Sequence, residues 1–202
     1  MRASKLRGNK VTITPDSKDW TWVLERTCPE CGFSAGQVPL GSIGDIARKS
    51  LPHWTEVLQR PHVAQRSNPS AWSDLEYSAH VRDVFAVMSK RLELILGQDN
   101  PTFENWDQDA TAIADNYAAQ DPNTVRDQLA ENLERFAAAF DAVSESQQSR
   151  TGLRSNGSHF TVLTLGQYAL HDIAHHVWDT AGTLAGADPS NSLSAAPIQD
   201  TK

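Results

Sequence analysis

Four segments of the chain space their apolar residues three and four apart, the period of a helix that buries one face. The first runs from Ser42 to Gln59, with Ile43, Ile46, Ala47, Leu51, Trp54, Val57 and Leu58 on one side, and Pro52 predicts a kink or a break within it. The second begins at Ser73. Ser73 and Glu76 have the spacing of a capping box, Val81, Val84, Phe85, Met88, Leu92 and Ile95 form the buried face, and Gly97 ends the segment. The third starts with Asp121 as N-cap and Pro122 in the first turn, and carries Val125, Leu129, Leu133, Phe136, Phe140 and Val143 to about Ser146. The fourth spans Thr161 to Gly182. It has an apolar stripe of Leu163, Leu170, Ala174, Val177 and Ala181, and beside it Thr164, Tyr168, His171, His175 and Trp178. Residues 60–71, 98–110 and 149–160 read as loops, with a short helix expected at Thr111–Ala119.

Four amphipathic helices with one buried stripe each predict an all-α four-helix bundle. The expected organisation is an arm over residues 1–40 packed on the bundle, the bundle itself over 41–184, and a solvated tail over 185–202. Within the arm, Val11 and Ile13 alternate with polar residues as in a short extended segment, and Trp20 and Trp22 are placed to pin it to the body.

The histidines change the picture from a bundle to a bundle with a site. His171 and His175 lie one helical turn apart on one face, a spacing that closes on a single metal ion. His80, at the N-terminal end of the second apolar run, is the candidate third ligand. Three protein ligands with an open position are the pattern of a catalytic metal rather than a structural one. His176 is about 100° around the helix from His175, which assigns it to the surroundings of the site, and Asp172 and Asp179 are weak candidates for orienting ring N–H groups. Glu76, one turn before His80, is a candidate base as well as a capping residue. Arg150 and Arg154 are candidate anchors for a substrate carboxylate, with Tyr168 as a further substrate contact. Cys28 and Cys31, in "TCPECGF", form a lone Cys-x-x-Cys knuckle. It reads as a partial metal site completed by His53 or His62, as a redox pair, or as two buried thiols.

Composition narrows the partners. The net charge of -7 repels phosphate backbones and disfavours nonspecific nucleic-acid binding. No apolar run approaches the ~20 residues of a membrane span, and the basic N-terminus lacks the apolar stretch of a secretory signal. Two cysteines do not make a disulfide framework, which points to a reducing compartment, the cytoplasm. The expected partner is a small-molecule substrate, and leftover apolar surface allows a homodimer. Three imidazoles suit Zn²⁺, Ni²⁺ or Fe²⁺, with zinc the first expectation.

"WSDLEYSAHVRDV" followed by "RTGLRSNGSHFTVLTLGQYALHDIAHHVWD" resembles the DinB-like metalloenzyme superfamily over roughly residues 20–182. The N-terminal "CPECG" is similar to that of its actinobacterial branch. The resemblance implies up-down-down-up helix order and a metal held by His80, His171 and His175. Relatives of this kind include thiol-dependent S-transferases and the mycothiol-dependent maleylpyruvate isomerase. By that resemblance the chain is expected to be a divalent-metal-dependent enzyme that activates a low-molecular-weight thiol, such as mycothiol, for transfer to an electrophilic small molecule. The alternatives are a hydrolase using metal-bound water, and a non-catalytic metal-binding stress-response protein.

Overall fold

The computed structural model describes residue 13 and residues 18–181; the expected alternation around Val11 and the tail from residue 185 lie outside the described residues. Helix α1 (Ile43–Lys49) and helix α2 (Leu51–Val57) together occupy the first predicted segment. The break falls at Ser50, whose hydroxyl donates to the Ala47 carbonyl at 2.7 Å, so that Pro52 opens a new helix instead of kinking an old one. Helix α3 (Asp74–Gly97) starts as predicted, with both halves of the Ser73–Glu76 capping box formed. Helix α4 is Gln108–Ala114, earlier than expected, because the Asp107 carboxylate accepts the Ala110 N–H at 2.8 Å and sets the start there. Helix α5 (Pro122–Asp141) is capped by Asp121, and helix α6 spans Val162–Ala181.

The bundle has four members: the α1–α2 pair, α3, α5 and α6. Both α1 and α3 pack against α5 and α6, which puts consecutive members α1 and α3 across a diagonal. The stripes expected of α3 and α5 are fully used: Val84, Phe85, Leu92, Ile95, Leu129 and Phe136 are each completely buried. At roughly 1.5–3 kcal/mol per buried large side chain, this core supplies the main drive for folding. Residues 98–121 and 142–161 carry the chain across the bundle. Within them, the stretches read from sequence as loops, 98–110 and 149–160, hold a small sheet: β1 (Thr102–Phe103) pairs in parallel with β2 (Thr151–Arg154), and β2 pairs antiparallel with β3 (His159–Thr161) around Gly157 at φ 96°. The N-terminal segment from Trp20 to Val38 lies on α6 through two 3₁₀ turns, and Gln167 holds it by donating to the Val38 carbonyl at 2.9 Å. Among the described residues, no helix is long and apolar enough to cross a membrane.

Glu76 is structural. It is 3% exposed, accepts the Ser73 N–H at 2.8 Å and is gripped by both nitrogens of the Arg66 fork. Burial raises its pKa, but the bonds from Arg66 and Ser73 outweigh burial and hold it below the usual carboxylate range. A base so engaged is not free to take a proton. Arg150 is likewise spent: it donates to the carbonyls of Ile95 at 2.9 Å and Gln98 at 2.6 Å, closing the C-terminus of α3.

Close approach of α6 to the core depends on Gly166, where an added Cβ would meet Ile43 at 2.5 Å and Phe140 at 2.7 Å. Gly166→Val should cost about 1–3 kcal/mol of stability in urea denaturation. Gly97→Ala, where the added carbon meets nothing within 4 Å, should not. Equal midpoints for the two variants would contradict this packing. Glu76→Ala should destabilise by about 1–3 kcal/mol, through loss of the cap and an uncompensated Arg66, while the protein's metal content stays that of the wild type. A Glu76→Ala protein of normal stability but altered metal content would reverse the assignment.

Candidate metal centre

Helix α6 carries two ligand pairs at four-residue spacing, displaced by one residue. His171 and His175 form one, Asp172 and His176 the other. A step of one residue turns the helix by about 100°, so the two pairs face different neighbours.

The Asp172–His176 pair faces α3. The Asp172 carboxylate Oδ1 lies 3.1 Å from His80 Nε2 and 3.4 Å from His176 Nε2. The three ligand atoms lie within 4.8 Å of one another. Bonds of about 2.0–2.2 Å to one ion would separate adjacent ligand atoms by about 2.9–3.6 Å, so these spacings fit a shared metal. His176 Nδ1 is paired with Asp179 Oδ2 at 2.7 Å, which fixes the tautomer and leaves Nε2 as the ligand nitrogen. His80 is fully buried, and burial pushes its pKa below the ordinary range against the opposing pull of Asp172. Burial alone would raise the Asp172 carboxyl, but the adjacent His80 draws it down to about 2. The indole of Trp106 stacks flat on His80, with centroids 5.2 Å apart and planes 1° from parallel, and Trp72 covers another side at 5.1 Å. Two imidazoles and one carboxylate form a set that suits Zn²⁺, Fe²⁺ or Ni²⁺, and three ligands leave a position open.

The His171–His175 pair faces the N-terminal knuckle. Its potential ligand atoms group with Cys28 and Cys31, again within 4.8 Å of one another. The three-histidine set expected from the sequence is therefore not one cluster: His80 stands with Asp172 and His176, and His171 and His175 stand with the cysteines. His176, assigned from sequence to the surroundings, is one of the converging groups. His53 and His62 do not join the cysteines. His53 Nε2 bonds Thr180 Oγ1 at 2.8 Å, and His62 is exposed in a turn at φ 63°.

A cavity of about 620 Å³ opens over α6. Asp172 and His176 form part of its wall, as do His171, His175, Trp20, Trp72 and Trp106. Arg154 and Tyr168, two of the expected substrate contacts, also line it; Glu76 and Arg150 do not. Arg154 is held by Asn156 Oδ1 at 2.8 Å and Ser158 Oγ at 2.9 Å in the β2–β3 turn, with its guanidinium 5.6 Å from the Tyr168 ring centroid. Burial, then the nearby Asp172, raises the Tyr168 hydroxyl above its ordinary range, so it stays a neutral donor in the cavity. From sequence, Trp106 beside Asp107 and Asp109 reads as a pocket cap or a packing residue, and Trp72 carries no signal of its own. Asp172 had the one available signal, its four-residue spacing to His176.

The sequence pattern of the DinB superfamily matches residues 44–179. No curated protein sequence matches the chain. Among solved structures, YfiT from Bacillus subtilis, described as a probable metal-dependent hydrolase with an unusual four-helix bundle topology, superposes with a TM-score of 0.59 at 18% identity, covering 71% of this chain and 84% of its own. The mycothiol-dependent maleylpyruvate isomerase superposes with a TM-score of 0.53 at 18% identity, covering 75% of this chain and 62% of its own. At that identity the two likenesses speak for the fold, and the family match spans most of the bundle: the chain belongs to the DinB superfamily.

Proposed function

We propose that the protein is a metal-dependent enzyme whose ion is held by His80, Asp172 and His176, and that it transfers a low-molecular-weight thiol to an electrophilic small molecule. The observation that carries this reading is the convergence of these three side chains, two of which, Asp172 and His176, stand on the wall of a cavity of about 620 Å³. A divalent ion there would supply a Lewis acid that favours the thiolate of a thiol bound in the open position. The chain's own groups do the rest. Asp179 holds the His176 ring in its ligating tautomer. Trp72 and Trp106 keep bulk water from His80. Arg154 and Tyr168 present a cation and a hydroxyl to an anionic or carbonyl group of the substrate. Glu76, the candidate base for water activation, is locked in its pair with Arg66, which favours a thiol over a water nucleophile.

Hydrolysis is the second reading. It is supported by the broader likeness to the hydrolase-like bundle of YfiT, of which 84% is covered, against 62% of the isomerase. Mycothiol, bacillithiol and coenzyme A, each offered with an alkyl halide such as monobromobimane, separate the two. The expected result is metal-dependent thiol consumption that falls to background in His176→Ala and Asp172→Asn, and drops about 10–100-fold in Asp179→Asn. Metal-dependent turnover of an ester or amide panel with no thiol present would replace the thiol reading by hydrolysis. Turnover of neither class in metal-loaded protein would remove the enzymatic reading.

A further inference from the structure

The cluster at Cys28, Cys31, His171 and His175 is independent of the chemistry proposed above and has the makings of a complete site. The structure assigns it, we propose, as a second metal centre: a closed, four-ligand Zn²⁺ site that clamps the N-terminal knuckle to α6.

Both cysteines are unpaired by disulfide, and Cys28 is 1% exposed. The knuckle is pre-shaped to aim both sulfurs one way. Gly32 N–H donates to the Cys28 carbonyl at 2.9 Å, Cys28 N–H donates to the Phe33 carbonyl at 3.0 Å, and Gly32 turns the chain at φ 73°. The Phe33 backbone also hydrogen-bonds the Cys31 sulfur. Opposite, His175 Nδ1 lies 3.8 Å from Cys28 Sγ. A tetrahedral zinc with sulfur at about 2.3 Å and nitrogen at about 2.0–2.1 Å separates its ligand atoms by about 3.3–3.8 Å, so little movement is required.

Two further observations point to a ligand rather than to four packed side chains. His171 is 4% exposed, and its Nε2 is buried with no hydrogen-bond partner among the described residues. A buried ring nitrogen left in that state is costly unless something fills it. His175 Nε2 faces the Glu30 carboxylate at 3.5 Å, the arrangement that orients a ligating imidazole through its far nitrogen. Glu30 lies between the two cysteines in sequence, so the knuckle supplies two ligands and the group that steers a third. Trp20 covers the histidines, 5.4 Å from His171 and 5.0 Å from His175.

Sulfur and imidazole ligands in equal number select Zn²⁺ over the harder cations. Four protein ligands leave no position for a substrate, so the centre is structural, in contrast to the three-ligand set beside it.

The test uses the full-length protein, reduced and loaded with Co²⁺ as a spectroscopic stand-in for zinc. The wild type should show a near-ultraviolet sulfur-to-cobalt charge-transfer band with tetrahedral visible bands, and zinc absorption-edge data should show two sulfurs at about 2.3 Å. Cys28→Ser and His171→Ala should weaken or remove the band. His176→Ala should keep it while losing the other metal equivalent, so failure here and failure of the catalytic reading give different results. Zinc loading should also protect both thiols from maleimide at least tenfold. A wild-type protein with reduced cysteines that binds Co²⁺ without the charge-transfer band, or whose thiols react equally with and without zinc, overturns the proposal, whether or not the variants fold.

Discussion

The geometry of one helix governs both clusters. An α-helix repeats its face every three to four residues, so any two ligand pairs offset by one residue must look in different directions. Helix α6 carries such offset pairs at positions 171/175 and 172/176, and it can do so because it is covered on several sides. Helix α3 brings His80 to one flank, and the N-terminal knuckle brings two cysteines to the other. Without the N-terminal segment, His171 would lose the indoles of Trp20 and Trp22 that lie against its ring. Without α3, Asp172 would keep His176 but lose His80, the nearer of its two imidazoles. Each pair depends on a different tertiary contact of the same helix.

This explains how far the sequence could be read. The bundle was legible because the large apolar residues of α3 and the buried face of α5 keep helical spacing, and because the caps at Ser73 and Asp121 are local signals that tertiary contacts do not override. The site was legible as to helix and residue type, but not as to partnership. On α6, Leu165, Leu170, Ile173 and Val177 are all buried and do not share one narrow face, so the apolar pattern could not say which flank met α3. Given three histidines in α6, residue chemistry favoured the pair at 171 and 175. Geometry placed a carboxylate, Asp172, where a third imidazole was expected. Glu76, read as a base, and Arg150, read as a substrate anchor, misled for a related reason: each spends its polar group on an end of α3.

The β2–β3 hairpin shows the opposite limit. "TGLRSNGSHFT" lacks a continuous apolar alternation, since Gly152 and Arg154 occupy the buried positions of β2. Gly152 is required there because a Cβ would strike Ile95 at 2.7 Å and Phe103 at 2.8 Å. Arg154 is tolerated because the turn satisfies its guanidinium and Phe160 and Tyr168 lie against its face. A charged residue inside a strand reads as a loop in one dimension; in three it delivers a cation to the cavity wall.

The two clusters also share a boundary. Trp20 and Glu30, which belong to the knuckle side, line the same cavity as Asp172 and His176. The ring of His175 stands 6.0 Å from that of His176, edge to face. The shape of the cavity therefore depends on where the N-terminal segment is seated, and that segment meets α6 at the Cys28–His175 contact, a sequence separation of 147. Closing so long a loop carries an entropic cost, which the burial of Phe33, Ala35 and Val38 in the core opposes and the proposed multidentate clip would oppose further. On the assignments proposed above, the structural demand falls on cysteine and the open chemistry on a carboxylate. Sulfur ligands that bind zinc tightly suit a closed clamp, and a mixed nitrogen–oxygen set with a vacant position suits exchange of substrate and product. The one-residue offset along α6 lets a single helix present one cluster to the knuckle and the other to α3.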